Sequence, residues 1–264
     1  VPFSALSHST GFFDSLSRAF IFVRQSMAMA FRDKDLLIPS FLSLLATAGL
    51  LAVLLLVSRM ATLTQRNHPG WTVWLVLAFP PFLTYVVAYF FTGMTINLVD
   101  THLKGRDARL GEAFADSLNN FGALMTLALA TTGVHLATRL LRGRGRGPGL
   151  GDFAADAIDR TWLVASFLIL PAIIIEDRPF RAAVERAREI HSGNLLPIVI
   201  GEVAIIVLNR LLGFATVLIA AGLGYLLWSV THSVVLPIVV GGLLLAFVVA
   251  FNAFVRTAYY TCLF

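Results

Sequence analysis

A chain of 264 residues that is 58% hydrophobic and 13% charged has about half the charge a soluble domain needs to coat its surface, so lipid must face much of it. Its single cysteine, Cys262, excludes an internal disulfide and any multi-cysteine metal or cluster site. The net charge of +5 is no nucleic-acid signal, because the basic residues gather beside apolar runs, where they set topology and touch anionic lipid.

The chain divides into an N-terminal amphipathic segment, residues 1–35, and a single transmembrane helical domain, residues 36–264. The longest polar stretch, Arg139 to Arg160, is too short to build a soluble core. Charges scattered through residues 1–35 interrupt any apolar h-region, so this segment does not read as a signal peptide. Residues 14–33 instead place Leu16, Phe20, Val23, Met27 and Phe31 on one helical face, with Arg18, Arg24 and Arg32 off it. That pattern suits a helix in the headgroup layer or one packed on the protein's own flank.

Leu36 to Ser58 is uncharged and gives the first span, since about 20 apolar residues cross the hydrocarbon. After a loop with Pro69-Gly70, Trp71 and Trp74 fall where an interfacial aromatic belt belongs. The second span runs to Val99, with Pro80-Pro81 expected to kink it. Residues 108–121 form a second amphipathic helix, with Leu110, Phe114, Leu118 and Phe121 on one face. Leu118 to Thr138 is the third span and carries His135. The loop Arg139 to Gly151 is glycine-rich and reads as an exposed connector or an anion site.

The fourth span covers Thr161 to Ile175 and is expected to begin near Asp152. A third amphipathic helix follows, with Phe180, Val184, Ala187 and Ile190 on one side and Arg181, Arg186 and Arg188 among its charges. It breaks at Ser192-Gly193-Asn194. Leu211 to Val255 then holds no Asp, Glu, Lys or Arg. This is too long for one crossing, so a turn near Thr231-His232-Ser233 divides it and the last helix runs from about Leu236 to Tyr259. The fold class is all-α: about six transmembrane helices plus three amphipathic interfacial ones.

The device of amphipathic helix, small or polar break and plunge into the membrane recurs three times. Asp35-Leu36-Leu37-Ile38-Pro39 resembles Asn194-Leu195-Leu196-Pro197, and Asn119-Asn120-Phe121-Gly122 holds the corresponding place in the second copy. An offset of 72 residues aligns Leu118 with Ile190 and Ala115 with Ala187. With a cytoplasmic N-terminus, 12 of the 20 Lys and Arg fall on the cytoplasmic side, which predicts that orientation in a bacterial inner membrane. The Arg-rich 139–146 stretch runs against the bias.

The segment AVERAREIHSGNLLPIVIGEVAI, through Arg186, Arg188, Gly193 and Asn194, resembles the recurrent motif of an uncharacterised prokaryotic six-helix integral membrane family. That family is allied to the membrane domain fused to some glycerophosphoryl diester phosphodiesterases. The likeness runs from about residue 18 onward. It implies a fold and a location, not an activity.

Charge inside the bilayer costs on the order of 3 kcal/mol, so it is paired or functional. Glu202, Asn209 and Arg210 are the intramembrane polar residues of the fifth span. Glu202 and Arg210, eight residues apart, lie two turns along and about 80° around a helix, which makes contact marginal. They read either as an ion relay or as a structural break at Arg210. His135 reads as a cofactor ligand or as a hydrogen-bonding packing residue. Arg18, Arg24, Arg32, Arg181, Arg186 and Arg188 are candidates for contact with lipid headgroups or a partner. No Ser-His-Asp order, HExxH, P-loop or dinucleotide fingerprint is present, and no cofactor or metal site is expected. The reading is a non-catalytic structural or accessory subunit that packs against lipids and other integral membrane proteins. The alternative is a transporter or channel using Glu202 and Arg210.

Overall fold

The computed structural model describes residues 34–64, 71–142, 150–193 and 195–264. The surface helix expected over residues 14–33, with Arg18, Arg24 and Arg32, lies outside them, as do the side chains of Trp71 and Trp74 and most of the glycine-rich loop.

A 3-10 turn, Lys34–Leu37, leads into α1, Ile38–Thr64. Then follow α2, Trp71–Leu103, α3, Leu110–Asn119, and α4, Phe121–Arg142. The second half comprises α5, Leu150–Ile174, α6, Phe180–Gly193, α7, Leu195–Thr231, and α8, Val235–Leu263. No strand occurs among the described residues. In hydrocarbon every backbone N–H and C=O must be satisfied within the segment, and a helix does this alone. Six helices (α1, α2, α4, α5, α7 and α8) are long and apolar enough to cross a membrane. The remaining two, α3 and α6, are the short amphipathic ones.

The sequence boundaries hold with two changes. Helix α5 begins at Leu150, close to the start expected near Asp152, while Arg139 and Arg142 belong to α4. The polar loop expected over residues 139–151 therefore loses both ends to helices. Helix α2 also runs unbroken through Pro80 and Pro81, and the Thr84 hydroxyl donates to the Pro80 carbonyl at 2.9 Å.

The spans form three antiparallel hairpins, α1–α2, α4–α5 and α7–α8. Helices α2, α5 and α8 touch one another on the inside, whereas α1, α4 and α7 are their outer partners. Helix α7 packs chiefly on α8. The core lies toward the end that carries α3 and α6, called here the collar end. It is built from Leu98 and Val99 of α2, Leu168 to Ile174 of α5, and Phe254, Ala258, Tyr259 and Tyr260 of α8. Lipid tails are as apolar as leucine, so this core is held by close contact rather than by escape from water. Close contact needs small residues. A Cβ on Gly93 would lie 3.0 Å from Ile174 Cδ1, and one on Gly201 would lie 1.8 Å from Tyr259 Oη.

The repeat is visible in the corners. Helix α2 ends in a Schellman turn: Arg106 N–H donates to Thr101 O, Gly105 N–H donates to His102 O, and Gly105 has φ +69°. The corner after α5 places Asp177 at φ +50°, 72 residues on, and aspartate is among the few side chains that enter this region readily. The surface helices themselves start 70 residues apart, at Leu110 and Phe180, and α6 is 14 residues long against 10 for α3. One offset therefore cannot serve the whole repeat, because the third collar helix is longer by about one turn.

The faces named from the sequence divide between protein and surroundings. Ala113 and Ser117 of α3 are buried, as are Ala183 and Ala187 of α6. Phe114, Leu118 and Val184 are exposed instead. Small residues are buried against the protein, Leu110, Phe180 and Ile190 pack partly buried on the same core, and Phe114, Leu118 and Val184 stay exposed.

Candidate functional site

The polar side chains of the spans fall into two clusters and a collar. Most hydroxyls are satisfied locally: Thr92, Thr95, Thr132, Thr216 and Thr257 each donate to the carbonyl four residues back, the usual solution for a threonine in lipid.

The first cluster lies in the α7–α8 hairpin. Glu202 on α7 forms an ion pair with Arg256 on α8, and its Oε2 accepts from the Tyr260 hydroxyl at 2.9 Å. The Arg256 guanidinium also lies over the Phe167 ring of α5, 5.5 Å from its centroid, and Tyr260 stacks on the same ring at 5.3 Å. Glu202 is thus tied to α8 directly and to α5 through its partners. The hairpin register explains the pairing. Gly224 faces Pro237, Gly241 faces Ala220 and Gly201 faces Tyr259, so Glu202 comes level with the Arg256–Tyr260 turn. Asn209 and Asn252 lie opposite each other in that register. Asn209 Oδ1, Asn252 Oδ1 and Arg256 Nε are buried without a hydrogen-bond partner among the described atoms.

Arg210 does not join this cluster. Helix α7 is continuous through it, so it marks no break, and the residue is exposed on the outer side of α7. The partner of Glu202 is Arg256, which the sequence used only in weighing orientation. The missed signal was the hairpin: folding the chain back at the expected turn brings α8 alongside α7 and Arg256 within reach of Glu202.

The second cluster joins α2, α4 and α5. Asp159 accepts from the Thr138 hydroxyl at 2.9 Å and from Arg142 Nη2 at 2.7 Å, and His135 Nδ1 lies 3.3 Å from it. The same Nη2 donates to Asp156 at 2.6 Å. His135 stacks in parallel on Tyr85, with centroids 5.4 Å apart. Below it, Thr131 gives its one hydrogen to the Leu127 carbonyl at 2.9 Å. It therefore accepts from Tyr89 Oη at 2.8 Å and Trp162 Nε1 at 2.9 Å. Three helices meet on one threonine. His135 is thus engaged on Nδ1 and covered on one ring face.

The collar consists of ion pairs between the corners and the surface helices. Glu176 pairs with Arg178 and, at 3.1 Å, with Arg186. Arg186 also bonds Glu189 at 3.2 Å and lies 5.9 Å from the Phe264 ring centroid. The hydrogen bonds it donates to Glu189 and Glu176 raise its pKa above the usual arginine value. Arg186 is therefore fastened to its own protein, while Arg181 and Arg188 stay exposed. Asn97 Nδ2 donates to Asp116 at 2.9 Å, and Asn120 Nδ2 donates to Asp177 at 2.8 Å. The latter bond ties the break after α3 to the corner after α5. Burial pushes the Asp116 carboxyl above its ordinary value, against the lowering effect of the Asn97 bond.

Fold and clusters together define a multi-pass α-helical membrane protein whose spans carry paired charges. The chain belongs to a family of unknown function, DUF6159, whose match covers residues 72–262. That range includes both clusters and the collar. It carries no link to the phosphodiesterase-fused membrane domain. No curated protein and no solved structure matches the chain.

Proposed function

We propose that this protein is a non-catalytic subunit that packs against other integral membrane proteins and lipid through the outer face of α7. One observation carries the reading. The acidic side chains of the two intramembrane clusters are tied to partners of the same chain, whereas α7 carries an exposed charge, Arg210, on an apolar face. Charges that neutralise each other in place act as struts between helices. A face left to one side acts on neighbours.

The orientation that fits this reading has the collar end in the cytoplasm of a bacterial cell, as the distribution of Lys and Arg suggests. Arg181 and Arg188 then face anionic headgroups.

The test is to extract the chain from its native membrane in polymer-bounded discs without detergent and weigh the particle. A second polypeptide in fixed ratio supports the reading. Particles that hold one kind of chain and lipid alone reject it.

A transporter or channel is the second reading. It draws on the three unpartnered atoms of Asn209, Asn252 and Arg256 behind Glu202, because such groups call for water or a polar guest. Unchanged solute flux in vesicles bearing Glu202→Gln would end it.

A further inference from the structure

Arg210 is an exposed charge within the spans to which the packing gives no partner among the described residues. It lies about 22 Å along the helix axis from Leu195, where the collar hands over to α7, and about 27 Å from Trp228 near the other end. The hydrocarbon is about 30 Å thick. A slab of that thickness centred on this apolar length puts Arg210 within about 3 Å of its middle, farther from either surface than an extended arginine side chain stretches. It is exposed and forms no ion pair among the described residues.

Its neighbours on that face are Val203, Val207, Phe214, Val217, Tyr225 and Trp228, all exposed at between 49 and 69%. With Arg210, those from Val203 to Val217 recur at intervals of four, three, four and three residues, the spacing of a helix-packing seam. Helix α7 is 37 residues long and packs chiefly on α8, which meets it at Gly201, Ala220 and Gly224.

We infer that the Arg210 face of α7 docks a single transmembrane helix of another protein, and that this helix supplies a carboxylate at the depth of Arg210. A bare guanidinium in hydrocarbon costs on the order of 3 kcal/mol or more, and pairing it with a carboxylate removes most of that cost. A second copy of this chain fits poorly, because the carboxylates of its described spans are engaged. Glu202 is held by Arg256 and Tyr260, Asp156 and Asp159 by Arg142, and Asp100 by Lys104. The partner is therefore a different chain, with small or β-branched residues around its Asp or Glu to interdigitate with Phe214 and Val217.

This inference rests on the subunit reading and deepens it. Its test uses the full chain in vesicles with synthetic single-span helices of leucine and alanine, which carry aspartate, leucine or lysine at the centre. Association is read by energy transfer between fluorophores. The aspartate helix should bind about tenfold more tightly than the leucine helix. Arg210→Leu should erase the preference, and Arg210→Asp should transfer it to the lysine helix. Equal binding of the aspartate and leucine helices to the wild type overturns the inference, as does a preference that survives Arg210→Leu. A preference abolished by anionic lipid also overturns it and assigns Arg210 to lipid phosphate instead. If native particles contain a second chain but the aspartate helix gains nothing, only the partner's chemistry falls. If native particles hold one chain, the subunit reading falls whatever the synthetic helices do.

Discussion

Breaking the Glu202–Arg256 pair should be costly, and breaking it from both sides should be less costly than the two single losses added together. Glu202→Gln strands a half-buried guanidinium and weakens a charge-assisted bond from Tyr260. Removing one partner of a buried pair costs about 3–5 kcal/mol. The two side chains here are 17 and 20% exposed, so the lower end applies, about 3 kcal/mol, or roughly a hundredfold in the folding equilibrium. Arg256→Met leaves Glu202 with Tyr260 alone and should cost about 2 kcal/mol. The double variant removes both charges together and should lose about 2 kcal/mol less than the sum of the two. Reversible unfolding in bicelles, followed by forced separation of the α7–α8 hairpin, supplies all four corners of this cycle. Additivity within about 0.5 kcal/mol would refute the pairing as a strut.

Three further outcomes follow from the same contacts. Gly201→Ala should destabilise the hairpin by about 1–3 kcal/mol through overpacking on Tyr259, and Tyr259→Leu in the same chain should recover part of the melting temperature. Asp116 has a raised carboxyl pKa in the fold, so the folded state holds its proton more tightly than the unfolded chain, whose reference value is 3.8. Its charge is then a burden at neutral pH, and stability should rise as pH falls through the folded pKa toward 3.8. Asp116→Asn, which keeps an acceptor for Asn97, should remove that rise when its melting curves are subtracted from those of the wild type. Arg142→Leu leaves Asp156 and Asp159 facing each other without their shared cation. It should lower the melting temperature at neutral pH, and Arg142→Lys, which restores the cation, should recover part of the loss.

The spans were legible because hydrocarbon imposes a length and tolerates little charge, so Asp100 and Arg59 could mark ends without knowledge of neighbours. The turn at His232 was legible for the same reason: an uncharged run too long for one crossing must fold back. The faces of α3 and α6 were not. The sequence put Phe114 and Leu118 on one face with Leu110 and Phe121, and periodicity alone does not say which of them meets the protein. In lipid a large apolar side chain is at ease outside, and Ala113, Ser117, Ala183 and Ala187 take the inner face because small residues let backbones approach. The partner of Glu202 was half legible: the expected turn brings α8 alongside α7, but the choice of Arg256 depends on the register between them. That register is set by contacts such as Gly201 against Tyr259 and leaves no periodic trace. Arg210 suggested a break on length alone, yet an exposed helix may overrun the bilayer where its ends carry polar or aromatic residues.

The account turns on which side of α7 meets other molecules. A photoreactive side chain placed in turn at positions 203 to 217 and irradiated in the native membrane would settle that directly. Crosslinks to protein should peak at 203, 207, 214 and 217, fall away at 205 and 216 where α7 is buried, and weaken throughout in an Arg210→Asp background. Labelling of lipid alone, at similar yield around the helix and indifferent to Arg210, would contradict it.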